Sequence, residues 1–290
     1  MSPRFSAGAP TFALLVLALL AGGMGTARPA SAQRVTVSTS GQYASGDYIF
    51  TEQTDLFAWT TGIGVSQGRL YAGASVPLIV QSTPWVSYTG GGFAPSGGPQ
   101  HAAVGGGRRG PQRGRRAPVA LPDTGSYRRT GLGDPQLRLA VDVLRPDPSG
   151  LSVQVTGALK PPLADADAGF STGAWDGGLG MVASRSFRDW LVIAEGTYWW
   201  LGDLEALRLR DGLTYSLAVG QMLAGGRWGL LASVAGSTRV IDDVDPPVSI
   251  NGGLSFLPGP WGVSATVSAG LSEGAADWSV GLGTHVTFGP

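Results

Sequence analysis

The segment that decides the fold is Trp278-Ser279-Val280-Gly281-Leu282-Gly283-Thr284-His285-Val286-Thr287-Phe288. Trp278, Val280, Leu282, Thr284, Val286 and Phe288 fall on one face. Ser279, Gly281, Gly283, His285 and Thr287 fall on the other. Extended chain sends successive side chains to opposite faces, so this alternation reads as a β-strand. Its length suits a tilted strand crossing a bilayer, about nine to eleven residues, better than the five or six typical of soluble domains.

Working outward, the segment at 261–271 repeats the pattern, with Trp261, Val263, Ala265, Val267, Ala269 and Leu271 set against Gly and hydroxyl residues. Similar runs cover 248–256, 228–239, 213–223, 189–200, 175–187, 151–159, 135–144, 69–80, 55–66 and 34–43, which makes twelve strands. The connections alternate between short and long. Short ones surround Gln67-Gly68, Asp147-Pro148-Ser149-Gly150, Arg188, Gly225-Gly226 and Pro258-Gly259-Pro260. Longer ones cover 44–54, 81–134, 160–174, 201–212, 240–247 and 272–277. This rhythm is that of an up-and-down antiparallel barrel with tight periplasmic turns and longer external loops. An even strand count returns both ends to the short-turn side.

Aromatic residues give a second, independent sign. Phe187, Trp190, Trp228, Phe256, Trp261 and Phe288 lie near the short turns. Phe57, Trp59, Trp175, Tyr198, Trp200, Tyr215 and Trp278 lie near the long loops. Two such girdles are expected where rings sit at headgroup level. The opposite face is rich in Gly, Ser, Thr and Ala, which suits a lumen wall. A soluble β-sandwich would carry Lys and Glu on that face, yet Lys160 is the only lysine in the chain.

Composition agrees. Charged residues are 14 % of the 290, against about a quarter in ordinary domains, while hydrophobic residues reach 43 % and Gly numbers 47. Nine Trp argue against disorder. The absence of cysteine excludes disulfides, thiol catalysis and cysteine-based zinc sites. At the N-terminus, Arg4, the apolar run Phe12–Leu20 and Ala30-Ser31-Ala32 read as a signal peptide over 1–32, cleaved before Gln33. Residues 33–290 then form the barrel, with a long Gly/Arg-rich external loop at 84–131. The expected location is the outer membrane of a Gram-negative-type bacterium, reached through export and the barrel-assembly machinery.

Few residues promise chemistry. Gly64-Val65-Ser66-Gln67-Gly68 and Gly270-Leu271-Ser272-Glu273-Gly274 match a nucleophile elbow, but both lie at strand ends rather than at a strand-to-helix turn. Only His101 and His285 are available as bases, the first in the Gly/Pro-rich loop and the second facing inward without a local partner. No catalytic residue, cofactor or metal site is assigned; Asp242, Asp243 and Asp245 lack the spacing of a calcium loop. Arg108, Arg109, Arg113, Arg115 and Arg116 would suggest RNA in a cytosolic chain. After export no nucleic acid is available, and they read either as a solvated loop or as contacts to lipopolysaccharide phosphates. Arg138, Asp142, Glu195, Arg239 and His285 are the lumen-lining candidates. Their charges either line a water-filled path or form a plugging network.

Three segments carry a family resemblance: Gly131-Leu132-Gly133-Asp134, Gly157-Ala158-Leu159-Lys160-Pro161 and Ser171-Thr172-Gly173-Ala174-Trp175-Asp176. They resemble the meta-pathway phenol-degradation family of outer-membrane proteins, most clearly over 131–203. Ser171 stands where the family has the first Gly of a Gly-Thr-Gly-x-x-Asp loop, and Pro162-Leu163-Ala164-Asp165 replaces a Thr-Gly turn. The resemblance implies an outer-membrane transporter. Two readings stand: a porin-like channel for passive passage of small solutes, hydrophobic or aromatic ones included, and a non-conducting surface barrel with a loop-plugged lumen. Surrounding lipid, lipopolysaccharide and a small-molecule solute are the expected partners.

Overall fold

A computed structural model describes residues 33–97, 104, 128–145, 150–204 and 207–289. The expected signal peptide lies outside these residues. Twelve long strands form the wall: β1 (Gln33–Gly46), β2 (Thr54–Gln67), β3 (Leu70–Gln81), β7 (Gln136–Leu144), β8 (Leu151–Lys160), β9 (Asp176–Phe187), β10 (Trp190–Trp200), β11 (Gly212–Leu223), β12 (Trp228–Ser237), β13 (Val248–Phe256), β14 (Trp261–Gly270) and β15 (Trp278–Phe288). Three short strands, β4 (Val86–Thr89), β5 (Gly92–Pro95) and β6 (Arg129–Leu132), lie between β3 and β7.

Every long strand pairs antiparallel with its neighbours, and β1 pairs with β15 from Val35↔Phe288 to Ser45↔Trp278, closing the ring. Closure removes both free edges, so backbone groups in the wall find partners without water. Alternation then sets the faces. Leu282 is 71 % exposed and Val267 59 %, with Leu139, Leu217 and Ile250 among the other outward apolar side chains. Such a band is unsuited to water and matches hydrocarbon. The girdles also form as expected: Trp228, Phe256 and Trp261 make a chain of ring contacts at the short-turn rim, and Tyr198–Trp200 and Phe57–Trp59 do so at the other.

The wall has one irregular seam. β3 pairs with β7 over Leu70–Ser75 and with β6 over Leu78–Gln81. Between these stretches Val76-Pro77 faces Gly133-Asp134-Pro135, one residue more, which makes a β-bulge. Pro77 and Pro135 lack an amide N–H, so neither can donate to the ladder there. The Gly133 amide donates to the Pro77 carbonyl at 2.8 Å and holds the bulge closed.

Among the described residues of the 84–131 segment, Val86–Pro95 and Arg129–Leu132 do not lie in an external loop. The β4–β5 hairpin turns back into the barrel, and β6 extends the wall beside β3. The backbone at Gly90 packs where a side chain would collide: a Cβ there would lie 2.5 Å from the Trp199 ring. Burial of the apolar hairpin face drives the inward turn. Val86 packs with Leu56, Ala58, Ile79, Ala168 and Phe170, with Tyr88 and Phe93 against that cluster.

Leu282 is central in β15, so Leu282→Arg should cost about 2–4 kcal/mol of stability in a bilayer. Phe288→Arg, at the rim, should cost about 0–1 kcal/mol. Denaturant unfolding from lipid vesicles measures both.

Candidate functional site

The barrel interior has two unlike halves. Toward the short turns, Ser38, Ser40, Ser264 and Thr266 face inward yet are exposed, so the lumen there is wide enough for water. Toward the long loops it is filled. Ile49, Phe50, Trp85, Ala94, Val104, Leu204, Leu207, Leu209, Ile241 and Val244 form one apolar core across four connections, a cap over the outer mouth. Phe50 and Trp85 anchor it with ring centroids 5.2 Å apart. Burial pushes the nearby Tyr48 phenol up to about 12, with Asp277 adding to the effect, so this tyrosine stays neutral at ordinary pH.

Between cap and open lumen lies a cavity of about 470 Å³. The hairpin residues Gly91–Pro95 form one wall, and β10–β13 form the other with Glu195, Trp199, Thr214, Ser216, Ala235 and Ser249; Gln42 of β1 also borders it. The Trp199 indole donates to Thr214 Oγ1 at 3.2 Å and is fixed against the hairpin tip. A smaller cavity of about 230 Å³ continues from Gln42 along hydroxyl and amide groups of β12–β15. There Ser268 and Ser279 share a hydrogen bond of 2.6 Å, and Asn251 Nδ2 donates to Ser233 Oγ at 3.3 Å.

A buried ionic cluster holds the hairpin in place. The Lys160 ammonium lies 2.5 Å from Asp134 Oδ2 and 3.2 Å from Asp176 Oδ2, and all three side chains have zero exposure. Asp134 also accepts from the Leu163 and Ala164 amides at 2.7 and 2.8 Å and from Ser171 Oγ at 2.6 Å. Asp176 accepts from the Gly90 amide at 2.8 Å through Oδ2 and from the Gly202 amide at 2.9 Å through Oδ1. Buried charge persists only when paired and hydrogen-bonded, and here both carboxyl groups are filled with donors. Asp134 comes from the bulge, Lys160 from the end of β8 and Asp176 from the start of β9. The cluster therefore ties the irregular seam of the wall to the hairpin tip.

These residues are the ends of the three motif segments singled out in the sequence, now brought together at one point. The family model described as "MetA-pathway of phenol degradation" matches residues 31–288. The chain belongs to this family. Ser171, which departs from the family's usual Gly, donates to Asp134 and so joins the cluster. An outer-membrane channel from Pseudomonas putida F1 shares the fold, with a TM-score of 0.60 and 13 % identity over 92 % of this chain and 98 % of its own. The KdgM porin gives 0.45 at 7 % identity over 87 % and 99 %, too loose a likeness to carry an argument. No curated protein matches the chain. The closed ring and its apolar girdle belong to the outer membrane.

The lumen candidates are placed as follows. Glu195 faces inward and lines the larger cavity. Arg138 faces inward from β7 and is exposed to the lumen. Asp142 accepts from Gln154 at 2.9 Å and faces Arg145 at 3.8 Å near the short-turn rim. His285 faces inward against Gly262. Arg239 differs from expectation: β12 ends at Ser237, and Arg239 lies in the following loop, 3.7 Å from Asp245. The ladder continues in register through Ser237 and Thr238, whose amides donate to the Pro247 and Leu213 carbonyls, and Arg239 lies just beyond its last bond. Among the described residues these charges are not joined in one network, and Asp134, Lys160 and Asp176 form a buried cluster of their own. Asp242 is held by Arg210 at 2.5 Å. Ser272 bonds Pro246 and Val248 within a loop, as a turn residue does. The arginines at 108–116 and His101 lie outside the described residues.

The signal for the missed cluster was present. A single lysine, ending a strand before Pro161-Pro162 in a charge-poor chain, has no solvent role to explain it. Lys160→Met should cost about 3–5 kcal/mol, because two carboxyl groups lose their counter-charge in a dry site. Adding Asp134→Asn and Asp176→Asn should recover part of it. Unfolding of all three forms in detergent or lipid measures the difference.

Proposed function

We propose that the barrel is a passive channel for small solutes, hydrophobic or aromatic ones included. The observation that carries this is the water-accessible, small-residue lumen, narrowed by the β4–β5 hairpin to a cavity of about 470 Å³. That volume falls within the range of small-molecule sites, and Phe93, Trp199 and Leu201 give it an apolar lining beside the hydroxyls of Thr214 and Ser216. From β11 round to β3, the inward side chains are neutral except His285 and the rim residue Arg34. This neutral arc of the wall accommodates an uncharged molecule or the apolar body of a larger one. The family description points toward aromatic degradation and agrees with this reading. Among the described residues nothing in the lumen resembles an energy-coupling device, and passage runs down a gradient. Assembly by the barrel-assembly machinery and lipopolysaccharide contact through Arg108, Arg109, Arg113, Arg115 and Arg116 complete the proposal on sequence grounds.

A second reading, a non-conducting surface barrel, is favoured by the apolar cap over the outer mouth. Planar-bilayer recording separates the two. The channel reading expects small single-channel steps from the intact protein and larger ones after removal of Val86–Pro95. Silence from both proteins, each confirmed folded by a mobility shift on boiling, favours the plugged barrel.

A further inference from the structure

Of the charged groups that face the interior, most are already neutralised. Asp142 is paired with Arg145, and Lys160 is sealed between Asp134 and Asp176. Asp245, which borders the larger cavity, is held by Arg239. Glu195 is different. It projects from the middle of β10 into the same cavity, is exposed to the lumen, and makes no ion pair among the described residues. No Lys, Arg or His lines this cavity. Arg138 stands on β7, three strands away around the ring, and does not border it.

We propose that Glu195 determines the charge preference of the passage, favouring cations and donors of hydrogen bonds and rejecting anions. This rests on the channel reading and adds a selectivity residue to it. The cavity is narrow and roofed by the apolar cap, so a fixed carboxylate there acts with its field focused by low-dielectric walls. A single charged side chain on a constriction is a recognised means of ion discrimination. Gln42, Thr214 and Ser216, which line the same cavity, are neutral and leave that field unopposed. Phe93 and Trp199 line the same space, so a cation with an apolar body is accommodated better than a bare anion.

The test is the reversal potential across a planar bilayer under a KCl gradient. The wild-type protein is expected to prefer K⁺ over Cl⁻. Glu195→Gln, close in shape, should lower the permeability ratio by about 25-fold, because one unit charge met at about 4 Å in water favours the cation by about fivefold and disfavours the anion by about the same factor. Glu195→Lys should invert the sign of the potential. A conducting Glu195→Gln protein with an unaltered ratio overturns the inference and leaves the channel reading intact. A folded wild-type protein that passes no current overturns the channel reading, and this inference with it.

Discussion

Backbone hydrogen bonding in hydrocarbon governs this structure. A strand edge exposed to lipid would leave amide and carbonyl groups unpaired, at several kcal/mol each. The pairing of β1 with β15 removes that cost, and the other features follow from it. Closure fixes which face meets lipid and which encloses space, and each strand must then carry large apolar residues on one face and small ones on the other. A chain with 47 glycines tolerates this because the ladder, rather than side-chain packing, holds the wall.

One place resists the closed-ladder rule, and the interior is organised around it. The Val76-Pro77 and Gly133-Asp134-Pro135 bulge interrupts regular pairing between β3 and its neighbours. It also turns Asp134 inward, where Lys160 and Asp176 complete a dry ionic cluster. That cluster grips the Gly90 amide and thereby fixes the hairpin that narrows the lumen. A wall irregularity, a buried charge group and a constriction thus form one mechanical unit. The functional readings depend on this unit, since the hairpin and the cap decide what reaches the open half.

The wall was legible because its signal is local. Period-two alternation, strand length and aromatic rims are each visible within a dozen residues, and the short and long connections fix the order. The resemblance segments were legible too, but not their purpose. Asp134, Lys160 and Asp176 are separated along the chain and lie on different elements, and only the bulge and two strand ends bring them together. Glu195 was identified as an inward charge by alternation, whereas its isolation on the cavity became visible only once the neighbours were placed. Arg239 falls two residues beyond the end of β12, at a boundary that periodicity alone does not mark.

The amino-acid order by itself determined the class of the protein, the number of spanning strands, which face each one turns to lipid, and which end carries the long connections. These follow from side-chain alternation and the thickness of a bilayer, both independent of distant contacts. The tertiary structure alone decided that Val86–Pro95 enters the barrel, that residues of four connections pack together in one apolar cluster, and that a lone lysine is buried between two aspartates. Those outcomes arise from packing between segments far apart in sequence, where burial of apolar area and compensation of charge select one arrangement that no local pattern records.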